Sequence, residues 1–131
     1  MSQENVDRCV KAIEAFNRRD IEGMLRLMDP EIRFEHRLAA LQGNLAGLAA
    51  VRGWFTDLSE HFDSWQVVCP DLRDLGDRVL ALGTVRAIGK ESGVETEVPY
   101  TVLASIREGL ITHFTDYGDR DQALEAAGLR E

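Results

Sequence analysis

The chain has 131 residues, a length typical of one domain, and a formal net charge of -8 at pH 7. Hydrophobic residues make up 44% and charged residues 29%, the composition of an ordinary globular protein. The negative charge and the scattered Lys and Arg residues argue against nucleic acid as a partner. No apolar run reaches the ~20 residues of a membrane helix and the N-terminus is too polar for a signal peptide, so we expect no membrane partner and a cytoplasmic location.

Cysteine and histidine spacing indicates no metal site. Cys9 and Cys69 do not form a CxxC pair, and His36, His61 and His113 lack short metal-ligand spacing. We expect both thiols to be buried, and we expect no structural metal and no cofactor. Residues 1–131 should form a single domain.

Two amphipathic helices are predicted at the start of the chain. Apolar residues recur at helical spacing from Val6 to Phe16, which predicts the first helix. Asp20 has the character of an N-cap for a second, shorter helix whose apolar residues extend to Met28, and Pro30 prevents its continuation.

A strand and a third helix follow. The alternation in EIRFEH predicts a half-buried strand with Phe34 and His36 on its apolar face. Apolar residues from Leu48 to Phe62 then keep helical spacing, and Trp54 widens their stripe, which predicts a helix with an aromatic face.

The second half of the chain has the pattern of a four-strand meander. Segments rich in Val, Leu and Thr are separated by short turn signals, so neighbouring strands should be antiparallel. The predicted strands are 65–74, 78–88, 94–107 and 110–117, and a short helix should follow Asp119 and end near Gly128. Pro99 should mark a bulge or an edge position.

Helices in the first half and a meander in the second predict an α+β fold in which one sheet face covers the helices. In the third meander strand the side that should face inward carries Val98, Tyr100, Val102, Ala104 and Ile106. The last strand is apolar on both sides, which predicts a second packed surface, and a homodimer is the simplest explanation.

The order of these elements resembles the nuclear-transport-factor-2-like superfamily, and is most similar to its SnoaL-like polyketide cyclase branch. The segments that carry the resemblance are AIEAFNRRDIEGMLRLMDPEIRFEH, GLAAVRGWFTDL, LGDRVLALGTVRAIG and REGLITHFTDYGDRDQALEAAGL. The resemblance implies a cone-shaped curved antiparallel sheet around the helices and an apolar cavity with one open end. Members of the superfamily include enzymes and proteins with no chemistry, so the resemblance does not supply a reaction.

Asp116 is the first candidate catalytic residue. By strand alternation it shares a face with Phe114, and a carboxylate beside aromatic walls is suited to act as a general base. The resemblance supports this role, because SnoaL-type cyclases carry a proton-abstracting aspartate in the corresponding strand. Alternatively, Asp116 pairs with an arginine, caps the final helix or points to water.

His36 is the second candidate, since it aligns with the general-base aspartate of the related ketosteroid isomerases and could transfer protons near neutral pH. The alternative is that His36 lies at the pocket rim with its hydrogen bonds satisfied and has no role in chemistry. Where those isomerases carry their oxyanion-stabilising tyrosine and aspartate, this chain has Ala12 and Val102, so steroid-type isomerisation is not expected. Tyr100 could donate one hydrogen bond, or could pack with a local partner.

An aromatic-lined cleft is typical of a site for a flat, largely apolar ligand. The residues expected to line or support it, with ordinary core packing as the alternative, are Phe16, Phe34, Trp54, Phe55, Phe62, Val102 and Phe114. The sequence therefore predicts a protein that binds a small apolar or aromatic metabolite. It is either a cofactor-independent cyclase or isomerase that abstracts a proton next to a carbonyl, or a non-catalytic binding or dimerisation module.

Overall fold

The computed structural model describes residues 2–35 and 45–129. Its helices and strands follow the predicted α+β order, with one additional two-residue strand, Leu45–Ala46, that the sequence pattern did not predict. The helices are α1 (Ser2–Asn17), α2 (Ile21–Leu25), α3 (Leu48–His61) and α4 (Arg120–Ala126). The strands are β1 (Met28–Glu35), β2 (Leu45–Ala46), β3 (Phe62–Asp74), β4 (Arg78–Gly89), β5 (Glu95–Arg107) and β6 (Leu110–Asp116). None of the described helices is long and apolar enough to cross a membrane.

The strands form one sheet in the order β2-β1-β6-β5-β4-β3. The meander from β3 to β6 is antiparallel, as its short links predict, whereas β1 lies parallel to β6 with Phe34 opposite Phe114. The register shifts in β3 between Val68 and Asp71, and such bulges bend a strand. The sheet therefore curves around the first three helices.

Two predicted boundaries are corrected by the structure. Asp20 is the N-cap of α2, since its side chain accepts a hydrogen bond from the Gly23 amide at 2.9 Å, but the helix ends at Leu25 and Met28 belongs to β1. Phe62 opens β3 instead of ending α3, because its backbone is extended (φ -122, ψ 134). Both side chains still face the interior, so the apolar pattern is correct although the element is not.

The two faces of the sheet contact different layers. Inward residues of β5, including Val102, Ala104 and Ile106, are buried on the helix side. On the opposite face Leu80 and Leu103 pack against α4. A helix of the same chain thus covers part of the outer sheet face beside the last strand, the strand on which the homodimer prediction rests.

Pro99 lies at an edge position. It is paired with Thr84 of β4 in regular register, while the pairing of β5 with β6 begins only at Val102. One side of β5 therefore has no neighbouring strand among the described residues at Pro99, where the missing amide proton is tolerated.

Candidate functional site

A cavity of about 540 Å³ lies between the helices and the inner face of the sheet. Its size is in the range of small-molecule sites, which are mostly apolar with a few polar groups. Helix α1 contributes Cys9, Ala12 and Phe16, and the far wall comes from alternate residues of the strands. The enclosure therefore depends on the inward alternation of β3 to β6 and on the apolar stripe of α1.

Six aromatic side chains form a continuous arc along the wall of this cavity. Consecutive ring centroids lie 5.2 Å apart for Trp65 and Phe16, 5.8 Å for Phe16 and Trp54, and 4.8 Å for Trp54 and Phe34. The arc continues through Phe114, 4.5 Å from Phe34, to Tyr100, 6.5 Å from Phe114. All six rings line the cavity, and their flat faces suit a planar ligand.

Trp65 is held firmly at the start of the arc. Its indole N–H donates a 2.9 Å hydrogen bond to the Phe16 carbonyl, and the Arg19 guanidinium lies 4.2 Å from its ring centroid. The hydrogen bond of the indole N–H and the cation over the ring hold the Trp65 side chain in place. Arg19 itself does not line the described part of the cavity.

Asp116 lies at the end of β6, opposite the inward residue Val102, and lines the cavity as predicted from strand alternation. Its Oδ1 accepts hydrogen bonds from the Gly118 amide at 2.9 Å and from the Thr101 hydroxyl at 3.3 Å. The first of these closes an Asx turn, a structural role. Capping of α4 belongs to Asp119, whose side chain accepts from the Gln122 amide at 3.0 Å.

Tyr100 lies on the same face of β5 as Val102, diagonal to Asp116. Desolvation raises the pKa of its hydroxyl well above the usual range, so the phenol stays protonated and can donate a hydrogen bond. Within the described part of the chain, that hydroxyl has no hydrogen-bond partner. A ligand in the cavity could accept this donor.

The remaining candidates have different placements. Phe16, Phe34, Trp54, Phe62, Val102 and Phe114 line the cavity. Phe55 instead lies behind the wall, with edge contacts to Phe16 at 6.2 Å and Trp65 at 5.5 Å, because its position on α3 turns it into the core. His36 lies outside the described residues.

Potential metal ligands among the described residues do not form a cluster. Across residues 2–35 and 45–129, no group of three or more His, Cys, Asp or Glu residues could hold a metal ion. His61 and His113 are exposed. Cys9 and Cys69 are free thiols, but only Cys9 is buried as expected, whereas Cys69 is half-buried at the β3 bulge. Burial raises the pKa of Cys9 to about 12.

Several wall residues are absent from the predicted site. Trp65 could have been found, since it alternates with the buried Val67 along the predicted strand. Thr96 and Val98 also line the cavity, with Val98 43% exposed, and both have the inward alternation that the sequence predicts for Tyr100 and Val102. The site thus combines an apolar aromatic wall with one carboxylate and one phenol.

Comparison with known proteins supports the α+β fold described above. An NTF2-like protein of unknown function from Burkholderia pseudomallei is 21% identical, with a TM-score of 0.81 over 93% of this chain and 95% of that one. TerC, co-crystallised with polyporic acid, is 21% identical, with a TM-score of 0.79 over 95% of this chain and 98% of that one. A protein from Xanthomonas campestris pv. campestris, described as a candidate polyketide cyclase, is 22% identical, with a TM-score of 0.74 over 96% and 98% of the two chains.

No curated protein sequence is significantly similar to this chain. The profile of the SnoaL-like domain matches residues 10–114, a span that runs from α1 to the centre of β6 and includes most of the cavity wall. The chain therefore belongs to the SnoaL-like domain family.

Proposed function

We propose that this protein binds a small, flat, largely apolar metabolite in its cavity and removes a proton next to a carbonyl group of that ligand without a cofactor. The observation that carries the proposal is the arc of six rings, which leads along the cavity to Tyr100 and Asp116. A planar ligand stacked on the arc would bring one end to these two polar side chains. The reaction would be a cyclisation or an isomerisation.

The roles follow from the chemistry of each group. The Asp116 carboxylate would accept the proton from the carbon beside the carbonyl. The Tyr100 phenol would donate a hydrogen bond to the carbonyl oxygen as negative charge develops there. Thr101 and the Gly118 amide would hold the Asp116 carboxyl in place.

The other predicted site residues have supporting roles in this proposal. Phe16, Phe34, Trp54, Phe62, Val102 and Phe114 would contact the ligand, with Phe55 behind them. His36 keeps its role as a proposed assisting acid or base on sequence grounds alone. A His36→Ala variant that retains full activity would remove it from the mechanism.

Two of the similar structures support a ligand of this kind by analogy. Polyporic acid was co-crystallised with TerC, and the Xanthomonas protein is described as a candidate polyketide cyclase. Their identities to this chain are 21% and 22%, so the analogy suggests a ligand class and no particular substrate.

A non-catalytic binding protein is the alternative, and one observation favours it. Asp116 Oδ1 already accepts two hydrogen bonds, one of which closes the turn before α4. A residue held for that purpose would line the cavity without performing chemistry, and the cavity would then serve binding alone.

Native mass spectrometry of freshly purified protein tests the binding step. We expect a retained small molecule, whose release on denaturation gives its mass. The variant Trp54→Leu, which interrupts the aromatic wall between Phe16 and Phe34, should retain less of the small molecule. Equal retention by both proteins would place the ligand elsewhere.

Deuterium exchange tests the chemical step. Naphthyl methyl ketone incubated in D₂O with the protein should gain deuterium on its methyl group faster than in buffer. Asp116→Asn should reduce the exchange to the buffer rate, and Tyr100→Phe should slow it. If the ketone binds but exchange does not exceed the buffer rate, the non-catalytic alternative is favoured.

We also propose a homodimer in which the outer face of the sheet is the contact surface. Val68 is 51% exposed on the outer face of β3, beyond the area that α4 covers. A second copy could cover this surface, and sedimentation at micromolar concentration would detect the dimer.

The cytoplasmic location stays a prediction from the sequence, which cell fractionation would test.

A further inference from the structure

The polar side chains of Tyr100 and Asp116 lie midway along the sheet face that lines the cavity. Asp116 is opposite Val102 on β5. Along β5, cavity-lining residues extend from Tyr100 to Thr96 in one direction and through Val102 to Ala104 in the other. At about 3.3 Å per strand residue, the two ends of this row are ~26 Å apart. A ligand with its carbonyl at Tyr100 and Asp116 can therefore extend from these groups in both directions.

At the Ala104 end, most side chains of the described cavity wall are aliphatic or contain sulfur. The inner chamber, as we define it, consists of the buried residues Cys9, Met24, Met28, Ala104 and Ile111. Met28 pairs with Ile111 near the start of β6, so both lie on the far side of Phe114 from Asp116. The inner chamber is therefore an extension of the cavity beyond the two polar side chains.

Two features of the inner chamber favour a flexible aliphatic group. Methionine side chains are unbranched and flexible, so they adapt to an alkyl chain of irregular shape. Ala104 and Cys9 have small side chains, which leave room between the sheet and α1. The chamber lies at the Met28 end of β1, whereas residues 36–44, which the structure does not describe, follow the Glu35 end. Burial of methylene groups among these described residues would favour binding.

We propose that the ligand is an aryl ketone with a flexible alkyl group on the second side of its carbonyl, and that the inner chamber binds this alkyl group. The inference rests on the proposed binding function and adds the chemical class of the ligand. With its ring on the aromatic arc and its carbonyl at Tyr100 and Asp116, the ligand would extend its alkyl group past Val102. Ala104 is then a specificity-determining residue, because a larger side chain at this position would occupy the space of the alkyl group.

Three naphthyl ketones that differ only in their alkyl group test the proposal. They are the methyl, propyl and pentyl ketones, and isothermal titration calorimetry on the full chain measures their affinities. We expect the affinity to rise about threefold for each added methylene group, since each leaves water for an apolar wall. The ring and the carbonyl are the same in all three probes, so the differences report the alkyl group.

Ala104→Leu tests where the alkyl group lies. It should reduce the gain in affinity from the methyl to the pentyl ketone at least about tenfold and change the affinity of the methyl ketone by less than about twofold. A thermal melt checks the fold, and the smaller change Ala104→Val should reduce the same gain at least about threefold.

Ala87→Leu is the matched control at the opposite end of the cavity. Ala87 pairs with Trp65 and also lines the cavity, so the variant makes the same chemical change at the other end of the wall. Any effect on the naphthyl ring would be common to the three probes. We therefore expect the affinities of all three ketones to change by the same factor.

The outcomes separate this inference from the proposed function. Equal affinities of the three ketones for the parent protein would overturn the inference and leave the proposed binding function intact. A gain that persists in both Ala104 variants would also overturn it, and loss of the gain in Ala87→Leu would place the alkyl group at the Trp65 end. Failure of all three ketones to bind would instead contradict the proposed binding function, and the inference with it.

Discussion

Asn17, the last residue of α1, hydrogen-bonds both backbone groups of Val67 on the edge strand β3. Its side-chain amide donates to the Val67 carbonyl at 3.0 Å, and its side-chain oxygen accepts from the Val67 amide at 2.8 Å. The side chain thus takes the position of a neighbouring strand and covers part of an edge that would otherwise be open. It also joins the helix to the wall that carries Trp65.

Replacement of Asn17 should therefore lower stability. Asn17→Ala removes two hydrogen bonds and leaves both Val67 groups unpaired, which should cost about 2 kcal/mol in the free energy of unfolding measured with urea. Asn17→Asp should also be destabilised, because its second oxygen would face the Val67 carbonyl. Gln66→Ala, an exposed substitution on the same strand, serves as the control. Equal stability of Asn17→Ala and the control would show that the link contributes nothing.

Two glycines should respond to alanine in opposite directions. A Cβ atom on Gly83 would overlap the Val68 carbonyl oxygen and lie 2.7 Å from the Cys69 Cα, because the β3 bulge crosses directly over it. We expect Gly83→Ala to lose about 3 kcal/mol or more, or to fail to fold. A Cβ atom on Gly53 of α3 would meet no other atom within 4 Å, so Gly53→Ala should gain about 1 kcal/mol from helix propensity. Thermal or urea unfolding measures both, and a neutral Gly83→Ala would mean that the bulge can move.

Thr101 should act as a positioning residue for Asp116. It is 3% exposed, and Thr101→Val removes the hydroxyl that donates to Asp116 while keeping the shape. We expect a stability loss of about 0.5–1.5 kcal/mol, slower deuterium exchange of the ketone probe and an almost unchanged probe affinity. Thr101→Ser restores a hydroxyl and should recover the exchange rate. Slow exchange in both variants would point to lost packing.

The thiols of Cys9 and Cys69 should make stability fall at alkaline pH. Burial raises the pKa of Cys9 from 9.0 to about 12 and that of Cys69 from 9.0 to about 11. Because the folded state holds these protons more tightly than the unfolded state, their contribution is complete below the usual thiol value of 9.0 and is lost as pH rises towards about 12. Urea unfolding at about pH 8 and about pH 10 should show this loss, and Cys9→Ala should reduce it. A pH dependence identical in Cys9→Ala and the parent would rule out the Cys9 contribution.

Strand alternation predicts which residues of β5 and β6 face the helices. It predicts Tyr100 and Asp116 on the inward face, and both line the cavity. This inference succeeds because side chains of an uninterrupted strand alternate between its two faces. It fails at Ile111, which alternation places opposite Phe114 but which also lines the cavity, because the pairing of β5 with β6 shifts register beside it. The same reasoning assigns Phe34 and Phe114 to the inner face.

Sequence patterns predict less well where a helix or strand ends and whether a side chain lines the cavity or lies behind its wall. Met28 and Phe62 continue a helical spacing, which predicts them in helices, yet both belong to strands. A residue at the junction of two elements satisfies both periodicities, so local pattern cannot choose between them. Phe55 shows the related limit for depth, since a helical stripe does not distinguish the cavity wall from the layer behind it.

The outer sheet face shows why a contact partner is hard to predict from local pattern. Apolar residues on both sides of the last strand suggest a second copy. On the neighbouring strands, however, Leu80 of β4 and Leu103 of β5 are covered by Ala123 and Leu124 of α4. The sequence predicts this short C-terminal helix correctly and does not predict its docking site. Helix propensity and capping at Asp119 carry no information about the surface that a helix will contact.

The sequence by itself determined the order of the main elements, the α+β class and the inward face of those strand stretches that no bulge interrupts, because these follow from local periodicity and turn chemistry. Only the tertiary structure decided that β1 lies beside β6, where Phe34 stacks on Phe114, and that Trp65 begins an arc of rings ending at Tyr100. Those contacts join residues far apart in the chain. They depend on which strands become neighbours and how the β3 bulge bends the sheet, and these are outcomes of packing the whole chain at once.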